Sequence, residues 1–132
     1  MGIRLSFRPC DDDRVLADWA GLSGLDRLGA MVLCDAYAER RRQIEAEYCT
    51  PQLDDEWEER ELADMAACYI LHAGDDHAPP LPHLWPETVD AAWWKPSTER
   101  RDLVKAAALI LAEIERLDRA AWRAKRNTQV AP

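Results

Sequence analysis

Apolar positions recur at helical spacing in three long stretches of the chain. Leu25, Leu28, Val32 and Ala36, with Gly29, Leu33 and Ile44 alongside, predict a helix over 25–48. Thr50, Pro51, Gln52 and Leu53 stop it in a short connection. Asp54 or Asp55 then caps a helix reaching residue 73, with acidic residues in its first turn. Residues 65–71 are apolar on almost every side, so this helix is expected at the centre. Gly74 ends it. Ser97 or Thr98, followed by Glu99 and Asp102, opens a last helix to about residue 125. Its expected core stripe is Leu103, Ala107, Ile110, Leu111, Ile114, Leu117 and Ala121. A shorter helix is expected after Asp11, Asp12 and Asp13, reaching Ala20 and broken by Gly21 and Gly24. No stretch alternates as a strand of useful length. The expected fold class is therefore all-α: a small bundle of about four helices. Its core would be an antiparallel hairpin formed by the first two long helices, completed by oligomerisation.

Residues 75–97 break the pattern. They hold five prolines, two histidines and three tryptophans, Trp85, Trp93 and Trp94. A connection this long in a compact domain is usually functional or disordered, and tryptophans are costly to leave in water. Residues 1–10 read as an arm and 127–132 as a frayed tail, so the chain is expected to form one domain over 1–132.

Composition narrows the function classes. Of 132 residues, 48 % are hydrophobic and 32 % charged, a globular balance. The net charge of −8 argues against gripping a nucleic-acid polymer, because Arg40, Arg41 and Arg42 are the only strong basic cluster and carboxylates flank them. An acidic protein acting on phosphates normally recruits cations to bridge the repulsion. No apolar run approaches the length needed to cross a bilayer, and Met1, Gly2, Ile3 and Arg4 do not open a signal peptide. The four cysteines, Cys10, Cys34, Cys49 and Cys68, form no C-x-x-C pair. Cys34 and Cys68 sit in apolar helical patterns and read as free, small hydrophobes. The expected compartment is the cytoplasm.

Candidate chemistry lies at the turn between the first two long helices. Counting outward from Pro51 and Gln52 at ~1.5 Å per residue, Glu39 and Asp64 fall at one level, with Gln43 and Glu61 adjacent. Glu39 follows Val32 by seven positions, Glu61 precedes Met65 by four, and Asp64 precedes Cys68 by four. Each carboxylate thus continues an apolar stripe inward. Facing carboxylates repel unless protonated or bound to cations, and hard oxygen ligands suit Mg²⁺ or Mn²⁺. The plainer alternative is that 54–61, a dense acidic run, is a solvated helix face.

Four segments in order carry a family resemblance: Glu39-Arg40-Arg41-Arg42-Gln43; Glu61-Leu62-Ala63-Asp64 with Ala66-Ala67-Cys68-Tyr69; Trp93-Trp94-Lys95-Pro96; and Arg101-Asp102-Leu103-Val104-Lys105-Ala106. Together they resemble the MazG-like all-α nucleoside triphosphate pyrophosphohydrolases, most nearly the phage dATP/dGTP pyrophosphohydrolase (MazZ-type) branch, over about 28–119. The resemblance implies Mg²⁺- or Mn²⁺-dependent hydrolysis of a (deoxy)nucleoside triphosphate, with a purine base (dGTP or dATP) expected, to the monophosphate and pyrophosphate, by a homodimer or homotetramer. Glu61 and Asp64 match the E-x-x-D half of its metal site. The E-x-x-E half is not present as such. Glu39, by level and face, stands first for it, and Glu47 second. Glu39 or Glu61 would take the proton of the attacking water. Lys95, Arg101 and Lys105 would meet the phosphates or simply form a solvated helix start with local ion pairs, Gln43 and Asp102 would join them in binding the substrate, and Trp93 or Trp94 would stack on the base or simply pack in the core. The branch pattern carries glycine near positions 48 and 60 and histidine near 53 and 57. This chain has Tyr48, Arg60, Leu53 and Trp57 there.

Two other readings stay open. Cys68, His72, His77 and His83 are close in sequence and include one helical ligand pair for zinc. A non-enzymatic helical interaction protein, or a degenerate family member, would use exposed tryptophans as binding hot spots.

Overall fold

The structure, a computed structural model, describes residues 24–130. The expected arm over 1–10 and the short helix after Asp13 lie outside the described residues. What is described is all-α, without a strand: α1 (Gly24–Glu47), α2 (Pro51–Asp54), α3 (Glu61–His72), a 3₁₀ turn (Ala91–Trp93) and α4 (Glu99–Val130).

The turn after α1 has identifiable causes. Tyr48 takes a left-handed backbone (φ +59°), which ends the helix. Thr50 then caps α2, its hydroxyl accepting from the Leu53 amide at 3.3 Å, with Pro51 at the first helical position. Asp54 caps nothing. It turns inward, and the chain runs on through Arg60 (φ +72°) before α3 starts at Glu61, later than its sequence pattern suggests. Tyr48 and Arg60 are the two described non-glycine residues with positive φ, and both occupy positions where the resemblance expects glycine. At the other end, Gly74 (φ +73°) closes α3. A Cβ there would meet the Glu99 carboxylate at 2.9 Å.

The direct α1–α3 hairpin expected as the core is replaced by a hub arrangement. All helix pairs with substantial contact include α4, on which α3 packs most extensively, then α1, then α2. The core is formed by Leu62, Met65, Cys68 and Tyr69 of α3 against Ala106, Leu109 and Ala112 of α4. Trp85 and Val89 from the proline-rich connection seal it, with Trp57, Trp93 and Trp94 partly buried alongside. The connection over 75–97 is therefore a wall of the core. The indole N–H groups of Trp85 and Trp94 donate to the carbonyls of Val89 (3.0 Å) and Pro80 (2.8 Å).

Several apolar stripes face the other way from expectation. On α4 the buried face is Asp102, Val104, Lys105, Ala106, Ala108, Leu109 and Ala112, whereas Leu103, Ile110, Ile114 and Leu117 are exposed. The small alanines let α3 lie close, so α3 takes that face and leaves the larger side chains outside. On α1, Leu28, Val32 and Leu33 are exposed, while Ala36, Glu39, Arg40 and Gln43 turn inward. On α3, Ile70 and Leu71 are exposed, so that helix is covered on one side only. The expected tail from residue 127 is helical through Val130. Cys34 is disulfide-bonded, against its reading as a free thiol. No helix among the described residues is long and apolar enough to cross a membrane.

Candidate functional site

Glu39, Arg42, Gln43 and Glu47 lie on one face of α1, at spacings of three and four residues. That face meets the first turns of α4, which bring Arg101 and Lys105, and the end of the tryptophan-rich connection, which brings Lys95. Glu39 is 1 % exposed, and its carboxylate is saturated with donors. Arg42 grips it in a fork, Nε and Nη2 each at 2.7 Å. Gln43 Nε2 donates at 3.3 Å, and Arg101 Nη2 adds a short bond from α4. Glu47 accepts from Arg42 and from Lys95 Nζ, both at 3.1 Å.

Lys95 is fixed at three points. Its amide donates to the Tyr69 hydroxyl at 3.1 Å, its carbonyl accepts from Lys105 Nζ at 2.6 Å, and its ammonium reaches Glu47. The Tyr69 hydroxyl in turn donates to the Trp93 carbonyl at 3.4 Å, so one phenol clasps both ends of the Trp93–Lys95 segment. The Lys105 ammonium also stands 5.8 Å over the Tyr69 ring.

The electrostatics follow from this packing. Four cations, Arg42, Lys95, Arg101 and Lys105, surround two carboxylates in a chain of net charge −8. The hydrogen bond to Glu39 raises the Arg42 pKa further, against burial. Burial pushes Glu47 up, but the hydrogen bonds from Lys95 and Arg42 outweigh it and hold the carboxyl below its ordinary range. Burial lowers Lys105 despite the pull of Glu39 and lifts the Tyr69 phenol to about 12.

Of the sequence-predicted site residues, Glu39, Gln43, Glu47, Lys95, Arg101 and Lys105 come together. Glu61 does not join them: its oxygens accept from the Glu59 amide (2.8 Å) and the Thr88 hydroxyl (3.4 Å), fastening the connection to the start of α3. Asp64 is partly exposed and faces Arg60 at 3.9 Å. Asp102 points away from the cluster, holding His72 Nδ1 and the Ser97 amide, each at 2.7 Å. Trp94 packs with Tyr69 (4.6 Å), His72 (5.4 Å) and Trp85 (5.5 Å) between ring centroids, a core role rather than a stacking platform.

The expected four-carboxylate metal set is accordingly not assembled. Among the described residues, no group of three or more His, Cys, Asp or Glu side chains is placed to hold a metal ion. Matching levels along α1 and α3 do not become contact when each helix packs on α4. The zinc quartet is not brought together either: Cys68 lies in the core, its thiol pushed by burial to about 11, and His72 is bound to Asp102.

What remains at the cluster is a donor set of hard oxygens. Glu39 and Glu47 share Arg42, and the buried Gln43 Oε1 accepts no hydrogen bond. A cavity of about 30 Å³ lies beneath, bounded by Gln43, Glu47, Trp57, Tyr69 and Trp93. Two participants were not singled out by sequence: Arg42, signalled only by its three-residue spacing from Glu39, and the Tyr69 hydroxyl, hidden in an apolar helix. No protein-family model, curated protein or solved structure matches the chain.

Proposed function

We propose that this chain is a metal-assisted nucleoside triphosphate pyrophosphohydrolase whose triphosphate binds at Arg42, Lys95, Arg101 and Lys105. The observation that carries the reading is the convergence of four cations, from three separate segments, around Glu39 and Glu47. Positive backbones at Tyr48 and Arg60, where the resemblance expects glycine, support it further. Glu39 and Glu47 carry hard oxygens of the kind Mg²⁺ or Mn²⁺ takes, and they would be free to hold such an ion only once Arg42, Lys95 and Arg101 release them. Such an ion, when bound, neutralises triphosphate charge and lowers the pKa of a coordinated water.

The chain's own residues do the rest. Arg42 and Arg101 now spend their donors on Glu39, and their guanidinium groups can bind phosphate oxygens as they bind a carboxylate. Their transfer to substrate frees a Glu39 oxygen, which accepts the proton of the attacking water. Water adds to the α-phosphorus, the bond to the bridging oxygen breaks, and pyrophosphate leaves.

The test is a panel of deoxy- and ribonucleoside triphosphates with Mg²⁺ or Mn²⁺, read as monophosphate and pyrophosphate release. Turnover is expected with a purine nucleotide, abolished by Glu39→Gln and retained by Asp64→Asn. Full activity in Glu39→Gln, or no turnover with any nucleotide, overturns the reading. The outward-facing apolar residues on α1 and α4 favour one alternative, a helical interaction protein without catalysis.

A further inference from the structure

The residues that follow α3 enclose a pocket of about 250 Å³, which shares no lining residue with the cation cluster. Leu71, at the end of α3, and Pro79, Pro82 and Leu84 of the connection form its apolar walls. Those walls are held in place. The amides of His77 and Ala78 donate to the Asp75 carboxylate (2.9 Å) and carbonyl (3.2 Å). The Trp94 indole donates to the Pro80 carbonyl at 2.8 Å, and the Trp85 amide to the Pro82 carbonyl at 3.1 Å. Pro79 and Pro82, with their fixed φ, stiffen the same stretch, so the pocket is formed before any ligand enters. Leu71 and Leu84 remain 58 % and 51 % exposed, apolar surface that an occupant would cover.

One polar atom gives the pocket a direction. His72 lines it, and its Nδ1 is committed to Asp102 at 2.7 Å. Asp102 is fully buried and also accepts from the Ser97 amide at 2.7 Å. A carboxylate only accepts, so Nδ1 carries the hydrogen and Nε2 is left as an acceptor. Among the described residues, Nε2 has no hydrogen-bond partner. A buried carboxylate that fixes a histidine tautomer prepares the other ring nitrogen for a ligand. Asp75 and His83 also line the pocket but lie exposed, and no three such groups are placed for a metal ion among the described residues. The fitting partner for Nε2 is therefore an N–H or O–H donor.

We propose that this pocket is a second ligand site, which takes a small bicyclic heteroaromatic molecule with its ring N–H donating to His72 Nε2. Size and wall chemistry select the class. An apolar cavity of about 150 Å³ already accepts benzene, so this pocket has room for a fused second ring. Flat aromatic faces pack well on proline rings, as when proline-rich segments dock on aromatic grooves.

Indole and quinoline test the proposal, because they match in shape and oppose in polarity. The indole nitrogen only donates, and the quinoline nitrogen only accepts. Titrations at about pH 8.5, above the ordinary range of imidazole, are read by calorimetry and by ¹⁵N NMR of the histidine rings. Indole is expected to bind at one site, to move the His72 Nε2 resonance, and to bind at least about 10-fold more tightly than quinoline. Asp102→Asn keeps the shape but offers His72 Nδ1 an N–H, which moves the ring hydrogen to Nε2 and reverses the preference. Leu84→Asp, at a half-exposed wall position, leaves the fold intact and weakens both probes at least about 10-fold. No indole binding, binding that leaves His72 Nε2 unmoved, or binding indifferent to Leu84→Asp overturns the proposal. So does an unchanged preference in folded Asp102→Asn; if that variant does not fold, the other three results decide. No nucleotide enters these measurements, so their failure is distinct from failure of the pyrophosphohydrolase reading.

Discussion

Arg40 of α1 donates to Asp54 of α2 at 2.7 Å, in a place where the two side chains are 2 % and 0 % exposed. The same guanidinium reaches the Cys49 carbonyl at 3.1 Å and Glu115 of α4 at 3.3 Å. Asp55, the next residue, takes Arg119 at 3.0 Å and also Arg123. This polar rivet fastens the turn after α1 onto the hub helix. Burial outweighs Arg40 in setting the Asp54 pKa, which lies above its ordinary value.

Asp54→Ala leaves the buried Arg40 guanidinium with only the half-exposed Glu115 as counter-ion and is expected to cost about 3 kcal/mol. Replacing both partners, Arg40→Met with Asp54→Leu, is expected to recover most of that loss, because two desolvation penalties disappear together. Urea unfolding of the single and double variants measures the difference.

Tyr48 and Arg60 hold left-handed backbones that side chains disfavour, yet both are well exposed and their side chains pack little. Tyr48→Gly and Arg60→Gly are each expected to stabilise the fold by about 0.5–1 kcal/mol, the relief of strain exceeding the added freedom of the unfolded chain. Thermal melts read this directly. A loss of stability in both variants would show that these turns are held by side-chain contacts instead.

The folded Glu47 carboxyl titrates below its ordinary value near 4.5. A depressed carboxyl stabilises the fold above that ordinary value, and the contribution is lost as pH falls through the folded one. Glu47→Gln is therefore expected to be less stable than wild type near neutrality. The gap should close as the pH falls from the ordinary value through the lower folded one. Melting temperatures of both proteins from pH 3 to 7 check the sign.

Tyr69→Phe removes the hydroxyl that holds the Lys95 amide and the Trp93 carbonyl. The expected cost is about 1–2 kcal/mol, since a partly buried amide and a carbonyl lose their partner. On the proposed function the variant raises KM more than it lowers kcat, because Lys95 is loosened while Glu39 is untouched.

Much of this fold was legible because helical periodicity, caps and prolines act locally. The range of α1 and the start of α4 follow from such signals. Which face of each helix is buried did not follow. The stripe of Leu103, Ile110 and Ile114 is the more apolar face of α4, but α3 lies on the alanine face, where two backbones approach closely. The site split for the same reason. Glu39 and Gln43 share one helix, so spacing alone joins them, and Arg101 and Lys105 follow from the turn of α4. Glu61 depended on a hairpin that the hub arrangement replaces.

Trp57, Trp85, Trp93 and Trp94 pack in and against the core, Trp93 and Trp94 immediately preceding Lys95 in the chain, with Trp57 and Trp93 edge to face at 5.5 Å. Excited-state coupling between indoles this close varies steeply with their separation and tilt. The protein thus carries an optical gauge at its own doorstep: a ligand that shifts Lys95 should alter near-ultraviolet dichroism before any product is made.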